Sequence, residues 1–325
     1  MSHGQFVALR EHRVEGFEQL NEVVTGTNRH IVQIERGLLR GVLVHASIAG
    51  MPLDFVSFNL GIRTSGGSAD GRVIVGMLMD SSDRVIRASY ESTPGDMLIT
   101  PPRSEHEGNY HGAASLLTIS FSEADLAGIF GTEGRWGHIA GWRRNLFKGD
   151  SALAARIGSN AQSLLVALGK QKAPMSAETL DFWKRTIIED MTVGIRNGEP
   201  ALAEGPLTSA ARVVRRAEEF LEGRKGKPVH VSHLCAELKL PRRTLHRAFH
   251  EVLGMGPIEF LRYQRLCDIR TALNDPNVHD TIADLAIQNG FSHLGRFASS
   301  YRQHFGESPS QTRISVERNM NDVAI

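Results

Sequence analysis

The sequence predicts an α+β chain in two parts: a β-rich N-terminal domain ending in two helices, residues 1–205, and an all-helical C-terminal domain, residues 206–325. Three observations carry this reading. The 325 residues exceed what a single core usually supports. Between about residues 30 and 121, apolar residues alternate or run in short pieces broken by Gly, Pro and Asp, as strands do. Beyond a stretch crowded with Gly194, Asn197, Gly198, Pro200, Gly205 and Pro206, the apolar spacing becomes three and four, the period of a helix.

In the first part, strand pieces fall at residues 38–44, 53–60, 73–79, 83–88, 96–100 and 115–121, regularly spaced as in a sandwich or barrel. Residues 63–71 and 101–112 read as loops. Ser122 with Asp125 forms a capping-box-like start for a short helix. Two amphipathic helices follow, one striped by Ile157, Ala161, Leu164, Leu165 and Leu168, the other by Leu180, Trp183, Ile187, Met191 and Ile195. Each stripe needs a partner, either its own domain or a second subunit.

Composition narrows the function classes. With 41% hydrophobic and 22% charged residues, the chain has ordinary globular usage. No run approaches the roughly 18 apolar residues of a membrane span, and the charged N-terminus is not an export signal, so the expected location is the cytoplasm. Cys235 and Cys267 are too few for a disulfide framework or a four-ligand zinc site and read as buried small side chains. Charge is uneven. After residue 205 there are 17 Lys and Arg against 13 Asp and Glu, and before it 20 against 23. Only the second part is basic, and modestly so; the case for nucleic acid rests on where its charges fall.

A helix marked by Val213, Ala217, Phe220 and Leu221 leads the second part. Next comes a scaffold helix over residues 232–238, with Ser232 as its expected N-cap and Val231, Leu234 and Leu238 as its apolar residues. Leu238, Lys239 and Leu240 make a turn. A second helix opens at Pro241, with Leu245, Phe249 and Val252 inward and Arg242, Arg243, Thr244, His246, Arg247 and His250 outward. This is the helix-turn-helix plan, in which the N-terminal end of the second helix enters the major groove of duplex DNA. Arg243, His246 and Arg247 are the expected base readers, since Arg can pair bidentately with guanine.

The plan recurs. Thr281 with Asp284 caps a scaffold helix containing Ile282, Leu285 and Ala286, Asn289-Gly290 turns, and a second recognition helix is expected over residues 292–305. Phe297, Tyr301 and Phe305 face inward; Ser292, His293, Arg296, Ser299 and Ser300 face outward. A connecting helix over residues 257–273, with Ile258, Leu261, Ile269 and Leu273 apolar, has a span compatible with two recognition helices about one DNA turn, roughly 34 Å, apart.

The runs LPRRTLHRAFHEVLGMGPIEFLRYQRL and TIADLAIQNGFSHLGRFASSYRQHFGESPSQTR resemble the two halves of the AraC/XylS family's DNA-binding domain, and HLGRF with YRQHFGESPS resembles the subgroup of ethanolamine-operon regulators. The resemblance implies a transcription regulator, an activator by family habit, that contacts double-stranded DNA and RNA polymerase. It also implies a cupin-like barrel in the first domain that senses a small-molecule effector or forms a homodimer. Four positions depart from the family pattern. Lys239 stands where Gly is usual, a left-handed position costing a non-Gly residue about 1–2 kcal/mol. Leu294 and Gly295 occupy positions that are often polar, and Ser299 one that is often Arg. The second unit is therefore expected to hold phosphates more than it reads bases.

The stretch PGDMLITPPRSEH resembles the second conserved motif of cupins, which by analogy places Arg103, Glu105 and His106 near an effector. The His-x-His of a metal-binding cupin occurs nowhere, so neither a metal nor any other cofactor is expected. A cupin-type enzyme fused to a DNA-binding domain is the competing reading. It lacks metal ligands, an activated Cys, and any nucleophile-elbow, phosphate-loop or dinucleotide motif, and the expectation is a non-enzyme.

Overall fold

The computed structural model of the chain describes residues 8–23, 27–68, 71–170, 175–201, 209–224 and 226–314. The chain divides into two compact units, Met1–Ile31 with Leu39–Glu204 and Val32–Leu38 with Gly205–Ile325. The boundary expected at residues 205 and 206 lies outside the described residues. Assignment of the short piece Val32–Leu38 to the second unit is a difference from the sequence reading, which kept everything before residue 206 together.

In the first unit the strands are β1 (Ala8–Val14), β2 (Thr27–Gln33), β3 (Gly41–Ile48), β4 (Met51–Phe58), β5 (Ile62–Ser68) and β6 (Val73–Ser81). They continue with β7 (Val85–Arg87), β8 (Tyr90–Ser92), β9 (Met97–Thr100), β10 (Glu105–Tyr110), β11 (Ala114–Phe121) and β12 (Asn145–Phe147). They form a seven-stranded sheet in the order β1-β3-β4-β11-β6-β9-β12 and a five-stranded sheet in the order β2-β5-β10-β7-β8. Neither ladder closes on itself among the described residues, so the expected barrel takes the form of two sheets.

Residues read as loops are in fact strands. β5 and β10 pair antiparallel, Ile62 opposite Tyr110 and Gly67 opposite Glu105. Their Gly, Ser, Glu and His content shows no apolar alternation; backbone hydrogen bonds make the ladder, and these need no particular side chain.

The seven-stranded sheet is buried on both faces. On one, Ala46, Ile48, Leu53, Val73, Val75, Met77, Ile99, Leu117 and Ile119 join a core with helices α3 (Ser151–Gly169) and α4 (Ala177–Asn197). That core takes up Ile157, Leu164, Leu168, Leu180, Ile187, Met191 and Ile195 of the two predicted stripes. The stripes thus find a partner within their own unit. The helix α1 (Phe17–Val23) lies near the start of the chain. α2 (Glu123–Phe130) begins with the expected box, Ser122 accepting from Asp125 N while the Asp125 carboxylate accepts from Ser122 N. Trp142, 1% exposed, closes one end of this core against Phe121, Phe130 and Trp136.

The second unit holds α5 (Ser209–Glu222), α6 (Val231–Leu238), α7 (Arg242–Leu253), α8 (Pro257–Asn274), α9 (Ile282–Gln288) and α10 (Leu294–Phe305). α8 is buried on nearly every side, with Phe260, Leu261, Tyr263, Gln264, Leu266, Cys267, Ile269, Arg270 and Leu273 all inside. Ile258, expected inward, is exposed, as are Glu259, Arg262 and Thr271. Phe260 meets Phe249 of α7 edge-on with ring centres 5.6 Å apart, Tyr263 stacks on His304 of α10 at 4.3 Å, and Arg270 Nη1 pairs with Glu307 at 2.6 Å. Cys267 is buried here, whereas Cys235 on α6 is only half-buried. Among the described residues no helix is long and apolar enough to cross a membrane.

His304, 1% exposed, donates from Nε2 to the Gln33 carbonyl at 3.0 Å, while Gln33 Nε2 donates to the His304 carbonyl at 3.0 Å. Burial pushes the imidazole pKa down to about 4, the Gln33 bond opposing and Arg36, Arg262 and Arg270 assisting. Folding therefore excludes a proton that the unfolded chain takes up below about pH 6.5. The full stabilisation is present above that value and falls as pH drops toward 4, by on the order of 3 kcal/mol in all. Denaturant titrations from pH 7.5 to 4 should show this loss for the wild type and a flatter limb for His304→Gln. Parallel curves would remove His304 as the source.

Candidate nucleic-acid interface

α6 and α7 form the first helix-turn-helix. The cap of α6 is His230, not Ser232: His230 Nδ1 accepts from Ser232 N at 3.3 Å and His233 Nδ1 accepts from His230 N at 3.3 Å. Starting the helix one residue earlier buries Val231 with Leu234 and Leu238. Lys239 then turns the chain with φ 53° and ψ 43°, the left-handed conformation that glycine enters without strain. This turn lets Leu240 N reach the Cys235 carbonyl at 3.0 Å and stops α6.

Pro241 caps α7 with extended backbone, its carbonyl accepting from Thr244 N at 3.0 Å, so the helix proper begins at Arg242. Leu245, Ala248, Phe249 and Leu253 are buried, and Val252 is half-buried. With that face committed, the hundred-degree step of the helix puts Arg242, Arg243, His246, Arg247 and His250 in solvent, with Thr244 half-exposed at the edge. Among the described residues none of the three arginines pairs with a carboxylate, and the first turn carries no acid. The rings of His246 and His250 lie 4.5 Å apart along the same face. Unpaired guanidinium groups at the positive end of a helix dipole suit phosphates and guanine edges.

α9 and α10 repeat the arrangement with a different surface. Thr281 and Asp284 form the expected reciprocal box, and Gly290, φ 79°, makes the turn. α10 begins at Leu294, two residues later than expected, leaving Ser292 and His293 exposed ahead of it, with His293 as the cap residue. Phe297, Tyr301 and Phe305 are buried; Arg296 and Ser299 are exposed, and Ser300 is half-exposed with its hydroxyl donating to the Arg296 carbonyl at 2.7 Å. Gly295 faces open space, so the middle of this face carries no side chain.

The sequence reading missed two basic residues here. Arg262 and Arg265 project from α8 into the groove that also holds Ser292, His293, Arg296 and Ser299, a hollow of about 660 Å³. Arg262 is tied to Ser300, and Arg265 stacks over Phe291 with its guanidinium 5.1 Å from the ring centre. Burial first, then the charge of Arg262, lowers the pKa of Arg265, a cost that a phosphate in the groove would offset. The signal lay in LRYQR: two arginines three apart on a helix otherwise committed to the core.

Of the residues expected near an effector, His106 lines a cavity between the two sheets of the first unit, with Nε2 3.3 Å from Thr64 Oγ1. Arg103 and Glu105 are exposed outside that lining, Arg103 with a left-handed backbone.

Residues 234–315 match the family described as "Helix-turn-helix domain". A XylDLEGF operon transcriptional activator of Pseudomonas putida is 36% identical over 98 residues, 30% of this chain and 30% of that one. The HTH-type transcriptional activator RhaS of Pectobacterium atrosepticum is 31% identical over 94 residues, 29% of this chain and 33% of that one. Among solved structures, a transcriptional regulator from Chromobacterium violaceum described as containing an AraC-type DNA-binding domain is 26% identical. That match covers 32% of this chain and 92% of that one, with a TM-score of 0.30. The chain thus spans about a third of the length of these curated relatives. Its C-terminal unit carries a helix-turn-helix domain over residues 234–315. It is similar over 98 residues to the corresponding part of that Pseudomonas putida activator.

Two substitutions probe the geometry. Lys239→Gly should stabilise the protein by about 1 kcal/mol in chemical denaturation, the relief of left-handed strain outweighing the glycine's entropy cost. A loss of stability instead would mean that Lys239 makes compensating contacts. Arg265→Ala should weaken DNA binding uniformly across sequences and lower the slope of log affinity against log salt by about 1. An unchanged slope would leave the groove out of the interface.

Proposed function

We propose that this protein is a sequence-specific transcription regulator, acting as an activator, whose two helix-turn-helix units read adjacent major-groove segments on one face of a DNA duplex. The observation that carries this reading is the exposed, carboxylate-free cluster Arg242, Arg243, His246 and Arg247 at the start of α7, on a helix whose other face buries Leu245, Ala248, Phe249 and Leu253. α7 is the principal reader, with Arg243, His246 and Arg247 at base edges. α10 acts more as a clamp, because Gly295 and Ser299 offer few groups to bases while Arg262, Arg265 and Arg296 offer three cations to phosphates. The activator names of the relatives support the direction of regulation, and the wording HLGRF with YRQHFGESPS favours the subgroup resembling ethanolamine-operon regulators.

In the same reading the N-terminal unit, a cupin-like pair of sheets, senses a small molecule whose binding shifts α3 and α4, and the protein forms a homodimer. Effector binding changes how the DNA-binding domains are presented to DNA and to RNA polymerase. A ligand achieves this only by binding one arrangement more tightly than the other.

The division of labour is measurable with duplexes selected from a random pool. Arg247→Ala should abolish the preference for selected over scrambled duplex in anisotropy titrations, whereas Arg296→Ala should weaken binding to both and keep the ratio. Equal loss of preference in the two variants would overturn it.

A further inference from the structure

The cavity that His106 lines holds about 70 Å³, several times the roughly 10–15 Å³ that one water needs. Its walls are the inward positions of β4, β6, β9 and β11 on one side and of β5, β7 and β10 on the other, following the two-residue repeat of each strand. Leu43, Val56, Ile74, Leu98 and Leu116 make the lining largely apolar. Beside the cavity, Gly108 lets β10 pack closely: a Cβ there would come within 2.6 Å of the Tyr110 ring and 2.9 Å of Thr64 Oγ1.

Arg87 breaks the apolar pattern. It lines the cavity at 1% exposure, a cation in a mostly apolar lining whose other polar members are Asp54, Thr64, Thr100, His106, Tyr110 and Thr118. Nε donates to Ser92 Oγ at 3.2 Å, Nη1 to the Gly76 carbonyl at 3.0 Å and Nη2 to the Asp96 carbonyl at 2.8 Å. All three acceptors are neutral. They use three of the five N–H groups of a guanidinium, and among the described residues no carboxylate forms an ion pair with it. The Asp96 carboxylate, which acts on Arg87 only at longer range, is taken by Lys148 at 2.9 Å, Gly149 N at 3.0 Å and Thr93 N at 2.8 Å. Asp54, also in the lining, is taken by His45. Burial lowers the Arg87 pKa, with Tyr110 and Asp96 opposing, so the charge is held at a cost.

An uncompensated buried cation beside an apolar space calls for a ligand that brings the missing anion together with a hydrocarbon body. We infer that the cavity binds a compact monocarboxylic acid, its carboxylate on the free N–H groups of Arg87 and its body against Leu43, Val56 and Leu116. Thr64 and His106 supply further hydrogen-bonding groups on the same side. This assignment names the effector class for the sensing role proposed above and rests on that reading.

Calorimetric titration of the full chain with hexanoate, hexanamide, hexylamine, dodecanoate and inorganic phosphate tests it. Hexanoate should bind about ten-fold or more tighter than hexanamide, the worth of a charge-assisted hydrogen bond. Hexylamine and phosphate should not bind, and dodecanoate should be too long. In Arg87→Met the preference for acid over amide should vanish, and Arg87→Lys should keep part of it. Should Arg87→Met not fold, Gly76→Ala serves instead: its methyl would lie 3.9 Å from Arg87 Nη1 and 3.3 Å from Thr118 Cγ2, and should weaken hexanoate several-fold. Equal binding of acid and amide, no binding of any member, or an acid preference that survives in the variants would overturn the assignment. Anisotropy with DNA, with and without saturating hexanoate, separates the two readings. Acid binding with unchanged DNA affinity supports the site and overturns only the sensing role.

Discussion

Everything in the second unit depends on one buried helix. α8 gives most of its circumference to packing: Phe260 holds α7 through Phe249, Tyr263 holds α10 through His304, and Arg270 holds the segment after α10 through Glu307. Helices packed through interlocking side chains have few alternative positions. The two recognition helices are therefore fixed by a shared neighbour rather than by the loops that precede them. A helix with a broad solvent face would leave each helix-turn-helix free to choose its own angle. The exceptions to burial on α8 are informative, because Arg262 and Arg265 emerge on the side of α10 and add charge where that helix has little of its own.

The first unit solves a different problem with the same economy. Its larger sheet sends alternate residues to two interiors, one filled by α3 and α4 and the other left partly open. Sheets buried on both faces read as continuous apolar runs, and this is why residues 73–79 and 115–121 announced themselves as strands. β5 and β10 did not, since Gly66, Gly67, Glu107 and Gly108 carry no alternation, and a ladder held by backbone bonds leaves no trace in side-chain hydrophobicity. β1 was hidden likewise, its Arg10, Glu11, His12 and Arg13 masking the pairing with β3.

The helical half was far more legible, because caps, turns and a period of 3.6 are written in single residues. The Thr281 box, the Gly290 turn and the outward arginines of α7 are all local. What sequence could not supply was proximity across distance. Arg262 and Arg296 share a groove although 34 positions part them, and His230 displaced Ser232 as a cap because burial of Val231 set the register. Arg87 escaped notice for a similar reason: a lone arginine in a short strand is unremarkable until the ladder around it buries it.

The bonds between Gln33 and His304 join residues 271 positions apart. Closing so long a loop costs entropy that only the later contacts return. During synthesis, Gln33 leaves the ribosome long before α10 exists, so its partner arrives well after it. The C-terminal unit consequently cannot finish as a simple run of neighbouring helices. Its completion needs the segment Val32–Leu38, made long before α5, which makes this joint a late event in folding.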